Sequence, residues 1–263
     1  MKARIYSLLD YNPKILDKEI FVNNLISNLC KTSVGFAGFK NKKYLKNHLQ
    51  LQLFDNNDDK ELPKYFFNNK KIFKIVNNTL SKCQKKLPSK PSKIFLFPTF
   101  NSFIKNKMNG VSGFSPQANT ILIYLNPSRK NWETALKHTI THEYNHSVVY
   151  NFHKWKSLLD SIIFEGFAEN FREQVVGGER SPWTKAVSPE ECKKYFSNLK
   201  EKLNLQNHQL EREVFFGSNN YPLWLGYSLG YQIVKSFLNK SKEKYWSDII
   251  KANPKKILKQ SNF

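Results

Sequence analysis

The sequence has few acidic residues and no long run of apolar ones. Only 21 of its 263 residues are Asp or Glu, against 42 Lys and Arg, so its formal charge is +21 at pH 7. No stretch approaches the roughly 18 apolar residues that span a membrane. Residues 1–10 are too few and too polar for the apolar part of a signal peptide. We therefore expect a cytoplasmic chain without a transmembrane segment.

Cysteine is also scarce. The chain has three cysteines, Cys30, Cys83 and Cys192. Because their number is odd and no pair has C-x-x-C spacing, they indicate neither a disulfide framework nor a thiolate metal site. A reducing compartment fits this usage best.

The excess of positive charge has two interpretations. A basic surface can bind nucleic acid, an anionic membrane or an acidic protein. However, the lysines are scattered along the chain together with abundant Asn, Ile and Phe, which is typical of an AT-rich genome. Neither a helix-turn-helix nor a zinc-finger pattern is evident. A nucleic acid or another anionic partner is therefore an alternative that we do not favour.

Apolar periodicity predicts an N-terminal helical segment over residues 1–90. Its predicted helices have apolar residues at spacings of three and four, and they cover residues 16–29, 43–53 and 62–83. Pro88 and Pro91 interrupt this pattern. We place a soft domain boundary there and assign residues 91–263 to a second domain.

The second domain is predicted to combine a small sheet with further helices. Strands are predicted at residues 93–98 and 120–125, on either side of a Gly-, Ser- and Asn-rich loop at 110–119. The predicted helices cover residues 131–150, 161–176, 190–203 and 227–238. The strand at 120–125 is either an ordinary core strand or an edge that binds an extended peptide. The predicted fold is α+β and mostly helical, with the sheet beside an active-site helix pair.

The sequence His142-Glu143-Tyr144-Asn145-His146 is an H-E-x-x-H motif within a predicted helix. Its histidines lie one turn apart on the same face, where both imidazoles can bind one zinc ion. Zinc lowers the pKa of a bound water to about 7, and Glu143 can transfer its proton to a leaving amine. The motif therefore predicts one catalytic zinc per chain with Glu143 as general base.

A catalytic zinc needs a third protein ligand and an open fourth position. Glu165 follows His146 after eighteen intervening residues, enough for a turn and a second helix. We therefore predict Glu165 as the third ligand. Glu169, four residues on, shares its face and is predicted to accept a hydrogen bond from a ligand histidine, with His142 as the expected partner.

Peptide hydrolysis also needs a donor to the oxyanion, commonly a Tyr or His from a later helix. We favour Tyr227, because Gly226 before it allows the backbone to approach the cleft. Tyr231 and His208 are alternatives, and Tyr227 is equally compatible with a core position.

The remaining histidines are not predicted to bind metal. His138 is one turn before His142, but three histidines in line on a helix cannot all bind one tetrahedral zinc. We place His138 in a supporting or partly exposed position. His48 and His153 have no partner at ligand spacing, so they are predicted to be packed or solvated.

The motif and the Glu165-Gly166-Phe167-Ala168 stretch resemble the zinc site of the gluzincins. These include aminopeptidases that have Asn-Glu-Gly-Phe-Ala, where this chain has Phe164 in place of Asn. The Gly-Ala-Met-Glu-Asn signature with which those enzymes hold a free amino terminus has no match here.

Residues 94–238 also resemble a bacterial family labelled predicted zinc-dependent protease. The resemblance covers the Gly-rich loop, His-Glu-Tyr-x-His, Glu-Gly-x-Ala-Glu and Gly226-Tyr227-x-x-Gly230-Tyr231. It implies a zincin-like metallopeptidase domain that binds zinc. We therefore predict a zinc peptidase that acts on proteins or peptides.

Two alternatives to a peptidase stay open. One is a basic nucleic-acid-binding or regulatory protein whose zinc site is structural or vestigial. The other is a zinc hydrolase for a non-peptide amide or ester, because the same chemistry serves other carbonyl groups.

Overall fold

A computed structural model describes residues 3–12, 17–32, 35–55 and 64–263 of the chain. These residues form an α+β structure that is mostly helical, which confirms the predicted class at that level. The strands are β1 (Arg4–Ser7), β2 (Lys93–Pro98), β3 (Val111–Gln117) and β4 (Thr120–Leu125). The helices are α1 (Lys18–Cys30), α2 (Lys42–Leu53), α3 (Asn69–Lys86), α4 (Ser102–Lys107), α5 (Trp132–Val149), α6 (Leu158–Val176), α7 (Pro189–Leu199), α8 (His208–Phe216), α9 (Leu225–Lys240), α10 (Trp246–Ile249) and α11 (Pro254–Gln260).

The four strands form one mixed sheet in the order β1-β2-β4-β3. Strand β2 is parallel to β1 and β4, whereas β3 is antiparallel to β4. The predicted strands at 93–98 and 120–125 are confirmed as β2 and β4. Every residue of β4 is buried, and strands flank it on both sides, so it is not an edge strand. Of the two interpretations of this segment, the core strand is therefore the one observed.

Two strands were missed, and both lie at an edge of the sheet. Strand β1 is only four residues long, too short to show a period, and it corrects the interpretation of residues 1–90 as purely helical. Strand β3 replaces most of the loop predicted at 110–119. It contains Gly113 and Pro116, which disfavour strands in general but are tolerated at edges and bulges.

The predicted helices are all present, with shifted ends. Helix α6 begins before the predicted residue 161, because the Ser157 side chain caps it by accepting from the main-chain N–H of Asp160. It ends at Gly177, as predicted, with φ of 63°. Helix α3 begins only at Asn69, later than the predicted residue 62. Residues 62 and 63, and residue 16 at the start of the first predicted helix, lie outside the described residues. Helices α4, α8, α10 and α11 were not predicted.

Contacts group the chain into two compact units, one of which contains residues 1–82 and 89–147. Among its described residues, the sheet and helices α1 and α2 contribute to an apolar core. This core includes Phe21, Leu49, Phe95 and Tyr124. The predicted division into residues 1–90 and 91–263 stays a prediction, as do the zincin-like fold and the active-site helix pair.

The other unit contains residues 83–88 and 148–263, and it is built on the packing of α6 against α9. Gly166 and Gly230 make this packing close: a Cβ atom added at Gly166 would lie 2.1 Å from the carbonyl oxygen of Gly230. Any larger residue at either position would separate the helices. Gly166 directly follows Glu165, so this contact fixes the backbone that carries the predicted ligand.

Neither a membrane span nor a disulfide is found among the described residues. None of their helices is both long and apolar enough to cross a bilayer. The three cysteines are free, with Cys83 and Cys192 buried. Burial raises the pKa of the Cys192 thiol to about 12, so this thiol stays protonated at neutral pH.

His48 was predicted to be either packed or solvated, and it is packed. Its ring centroid lies 4.5 Å from that of Phe114 and 5.0 Å from that of Phe39. Its Nε2 atom is buried without a hydrogen-bond partner in the described part of the chain. Burial lowers the pKa of His48 from 6.5 to about 4, because the charged imidazole cannot be hydrated there.

We predict that His48 makes the protein less stable in acid. Its pKa is lower in the folded chain, so between about pH 6.5 and 4 the unfolded chain binds a proton that the folded chain excludes. The free energy of unfolding should therefore fall as the pH falls through this window. His48→Leu should flatten this dependence in urea unfolding, whereas His208→Leu, at an exposed site, should not. An unchanged pH dependence in His48→Leu would show that His48 is not the cause of the lower stability in acid.

Candidate metal centre

The H-E-x-x-H motif lies in a stretch of α5 that is buried on all sides. Residues 141–149 are all buried, and His142, Glu143 and His146 are only 9, 6 and 7% exposed. No Gly or Pro interrupts the helix. Buried polar side chains are costly unless they are hydrogen-bonded or bind a ligand. Each polar side chain in this part of α5 is therefore expected to have a hydrogen-bond partner or a ligand.

His142 and His146 converge on one point. Their Nε2 atoms are 2.9 Å apart, and the rings meet at 79° with centroids 4.6 Å apart. Two nitrogens bound to one tetrahedral zinc at about 2.0–2.1 Å lie roughly 3.3 Å apart. The imidazoles therefore need to separate by only a few tenths of an ångström to share a metal ion.

Glu165 completes a group that can hold a metal ion. His142, His146 and Glu165 each offer one ligand atom, and these atoms all lie within 4.8 Å of one another. Two imidazoles and one carboxylate are a donor set of catalytic zinc sites, and three protein ligands leave a fourth position open. The side chains that the structure brings together therefore fit a zinc ion.

Glu143 lies against edge strand β3. The Ser115 Oγ atom is 2.8 Å from Glu143 Oε2 and 2.9 Å from the Glu143 carbonyl oxygen. Gly113, two residues earlier on the strand, lies so close that an added Cβ would be 2.4 Å from Glu143 Cγ. Burial, and after it the charge of Glu143, raises the pKa of Tyr124 well above its usual value, so this tyrosine stays neutral.

Ser115 and Gly113 were missed because their segment was interpreted as a loop. One signal could have identified the strand: only Ala118 and Asn119 separate this segment from the clear strand at 120–125. A two-residue connection with Asn indicates a β-hairpin, and Asn119 has the positive φ, 56°, that such turns use. The contact with Glu143 itself has no local signal, because it joins distant parts of the chain.

Glu169 is buried in a hydrogen-bonded network. Its carboxylate accepts from Trp183 Nε1 at 2.7 Å, from Ser181 Oγ at 2.8 Å and from Arg172 Nη2 at 3.4 Å. Arg172 is itself completely buried. Glu169 therefore ties α6 to the segment that follows it. Its predicted hydrogen bond with His142 stays a prediction.

We predict that Glu169→Ala strongly destabilises the fold, because it leaves Arg172 as a buried charge without its carboxylate. The free energy of unfolding should fall by about 3–5 kcal/mol. Glu179→Ala is the matched control: its ion pair with Lys185 is exposed and should contribute little. Urea unfolding of both variants tests this, and equal effects would show that burial of the pair has no energetic consequence.

The three candidates for oxyanion donor have different surroundings. Tyr231 donates its hydroxyl to Glu173 Oε2 at 2.9 Å, and burial raises its pKa to about 12. His208 is exposed at the first residue of α8. Tyr227 is half-buried, and its ring packs against Phe215 with centroids 5.0 Å apart. Tyr231 is thus already engaged with Glu173, and the catalytic role of Tyr227 stays a prediction.

A separate basic cavity lies at the amino ends of β1 and β2. It has a volume of about 510 Å3, and the described residues that line it include Arg4, Lys90 and Lys93 but no acidic residue. None of these three cations forms an ion pair with another described residue. The cavity contains none of the predicted catalytic or metal-binding residues.

The chain is similar to a known protein family and to two bacterial proteins. A family model described as "Predicted Zn-dependent protease (DUF2268)" matches residues 72–259. "Uncharacterized protein YjfC" of Bacillus subtilis (strain 168) is 26% identical over 145 residues, 49% of this chain and 48% of that protein. "Uncharacterized protein YjaZ" of the same organism is 32% identical over 110 residues, 39% of this chain and 42% of that protein. The chain thus spans less than half of either relative. No solved structure matches it significantly.

Proposed function

The chain belongs to the family of predicted zinc-dependent proteases that matches residues 72–259, and from this premise we propose that it hydrolyses peptide bonds at a gluzincin-type zinc centre. The convergence of His142, His146 and Glu165 within 4.8 Å is the observation that carries the proposal. These three residues hold one zinc ion per chain and leave one position open. Proteins or peptides are the substrate class.

The proposed mechanism divides the chemistry between the ion and the chain. A zinc ion held there supplies Lewis acidity to the scissile carbonyl and makes water nucleophilic near neutral pH. Glu143 accepts a proton from the attacking water and returns it to the leaving amine. Tyr227 donates a hydrogen bond to the developing oxyanion. Burial of Glu143 keeps competing solvent away from its carboxylate.

Anion binding at the basic cavity is the second candidate function. The basic lining of this cavity, which includes Arg4, Lys90 and Lys93, favours it. Binding of nucleic acid there would weaken steeply with salt and would be unchanged in Glu143→Gln. Peptide hydrolysis, in contrast, should be lost in Glu143→Gln, so this one variant separates the two functions.

We predict that His142→Ala, His146→Ala and Glu165→Ala each lose most of their zinc, because each removes one of three protein ligands. Elemental analysis after purification without added metal, and again after reconstitution, measures this against about one zinc per wild-type chain. His208→Ala, which removes an exposed histidine, is the control and should keep its zinc. Full occupancy in all three variants would rule out the proposed site.

We predict that Glu143→Gln keeps its zinc but cleaves casein or a mixed peptide library roughly 100-fold more slowly or worse, because the amide cannot accept the proton. Glu133→Gln is the matched control, since Glu133 lies on the same helix in an ion pair with Lys71. Its turnover should equal that of the wild type. An unchanged rate in Glu143→Gln would show that Glu143 is not the base.

A further inference from the structure

We propose that Ser115 is a positioning residue for Glu143: its hydroxyl holds the carboxylate in the orientation that proton transfer needs. Gly113 provides the space that this contact needs. The inference rests on the proposed function, because it takes Glu143 as the general base. It adds to that function a residue from the sheet, outside the H-E-x-x-H motif.

The hydrogen bond from Ser115 has the usual length for a hydroxyl donor and is shielded from water. Its hydroxyl has one proton and two acceptors in reach, Glu143 Oε2 at 2.8 Å and the Glu143 carbonyl oxygen at 2.9 Å. As a general base Glu143 is ionised, and a bond to the carboxylate is then the stronger of the two. Ser115 is only 4% exposed, so water cannot easily replace it. The bond therefore restricts the rotation of the Glu143 carboxylate group.

Strand β3 departs from regular pairing at the position of Ser115. Phe114 pairs with Leu122, whereas the next pair joins Gln117 to Thr120, so β3 has one extra residue between these pairs. Such a bulge redirects a side chain and is common beside active sites. Pro116 lies in the bulge, where its missing N–H is tolerated. The irregularity thus coincides with the residue that contacts Glu143.

Gly113 makes a second contact with the same glutamate. A Cβ atom there would lie 2.4 Å from Glu143 Cγ and 2.7 Å from Thr139 Cγ2, so no larger residue fits without moving Glu143 or the strand. Successive residues of a strand point to opposite faces. Phe114, between the two, accordingly packs against His48 with centroids 4.5 Å apart. One face of β3 is therefore the surface against which Glu143 is held.

Ser112 provides a matched control for Ser115. It lies on the same strand, is also 4% exposed, and its hydroxyl contacts Gln52 Oε1 at 3.3 Å. Ser112→Ala therefore removes a buried hydroxyl of β3 that does not contact Glu143. If Ser115 were only structural, the two alanine variants would behave alike.

The test compares Ser115→Ala, Ser115→Thr and Ser112→Ala in the wild-type and Glu143→Gln backgrounds. We expect Ser115→Ala to keep its zinc and its KM and to lose about 10- to 100-fold in kcat, the scale of one hydrogen bond to a charged group. Ser115→Thr retains the hydroxyl and should recover most of kcat. In the Glu143→Gln background, Ser115→Ala should cause no further loss, because the base that it positions is absent.

A second readout does not depend on activity. Infrared difference spectra of the zinc-free protein, wild type minus Glu143→Gln, identify the carboxylate stretch of Glu143. Ser115→Ala should shift that band, and Ser112→Ala should leave it in place. Urea unfolding reports whether each variant is folded. If Ser115→Thr proves to be destabilised, the positioning role is decided by the kcat of Ser115→Ala and by the infrared spectra.

The outcomes separate this inference from the proposed function. If Glu143→Gln abolishes turnover but Ser115→Ala changes neither kcat nor the carboxylate band, only the positioning role is overturned. An equal loss from Ser115→Ala in both backgrounds also overturns it. If the wild type has no zinc-dependent turnover, the proposed function fails and the inference fails with it.

Discussion

Burial of the polar face of α5 is the constraint from which the arrangement of this centre follows. A buried polar group without a partner costs about 1–3 kcal/mol, and a buried charge costs more. In α5, two imidazoles and a carboxylate are all less than one-tenth exposed. The imidazoles meet each other at 2.9 Å, and Glu143 receives the hydroxyl of Ser115 at 2.8 Å. A fold that excludes water from this face thereby sets the geometry of its side chains.

Helix α6 satisfies the same constraint by other means. Gly166 and Gly230 bring its backbone close to that of α9, which holds the turn carrying Glu165. One turn later, Glu169 is neutralised by Arg172 and receives hydrogen bonds from Ser181 and Trp183. The backbone at Glu165 is thus held by helix packing, and the side chain of Glu169 is held by a buried hydrogen-bonded network.

The sequence was most informative where a feature is local. The spacing of H-E-x-x-H, the uninterrupted helix around it and the apolar runs of β2 and β4 all act within a few residues, and each was predictable. Strand β3 was missed because Gly113 and Pro116 disfavour strands, and only its edge position tolerates them. Strand β1 is four residues long and takes its place from β2, far along the chain. Ser115 acquires its partner only through that sheet, so no local pattern indicates it.

The central claim is that two imidazoles and one carboxylate hold a zinc ion with one position open. X-ray absorption at the zinc edge of the reconstituted protein tests it most directly. The account predicts two imidazole nitrogens and only oxygen besides, at about 2.0–2.2 Å, with one oxygen replaced by sulfur at about 2.3 Å when a thiol inhibitor is added. Sulfur in the first shell of the uninhibited protein, or a shell that the inhibitor leaves unchanged, would contradict it.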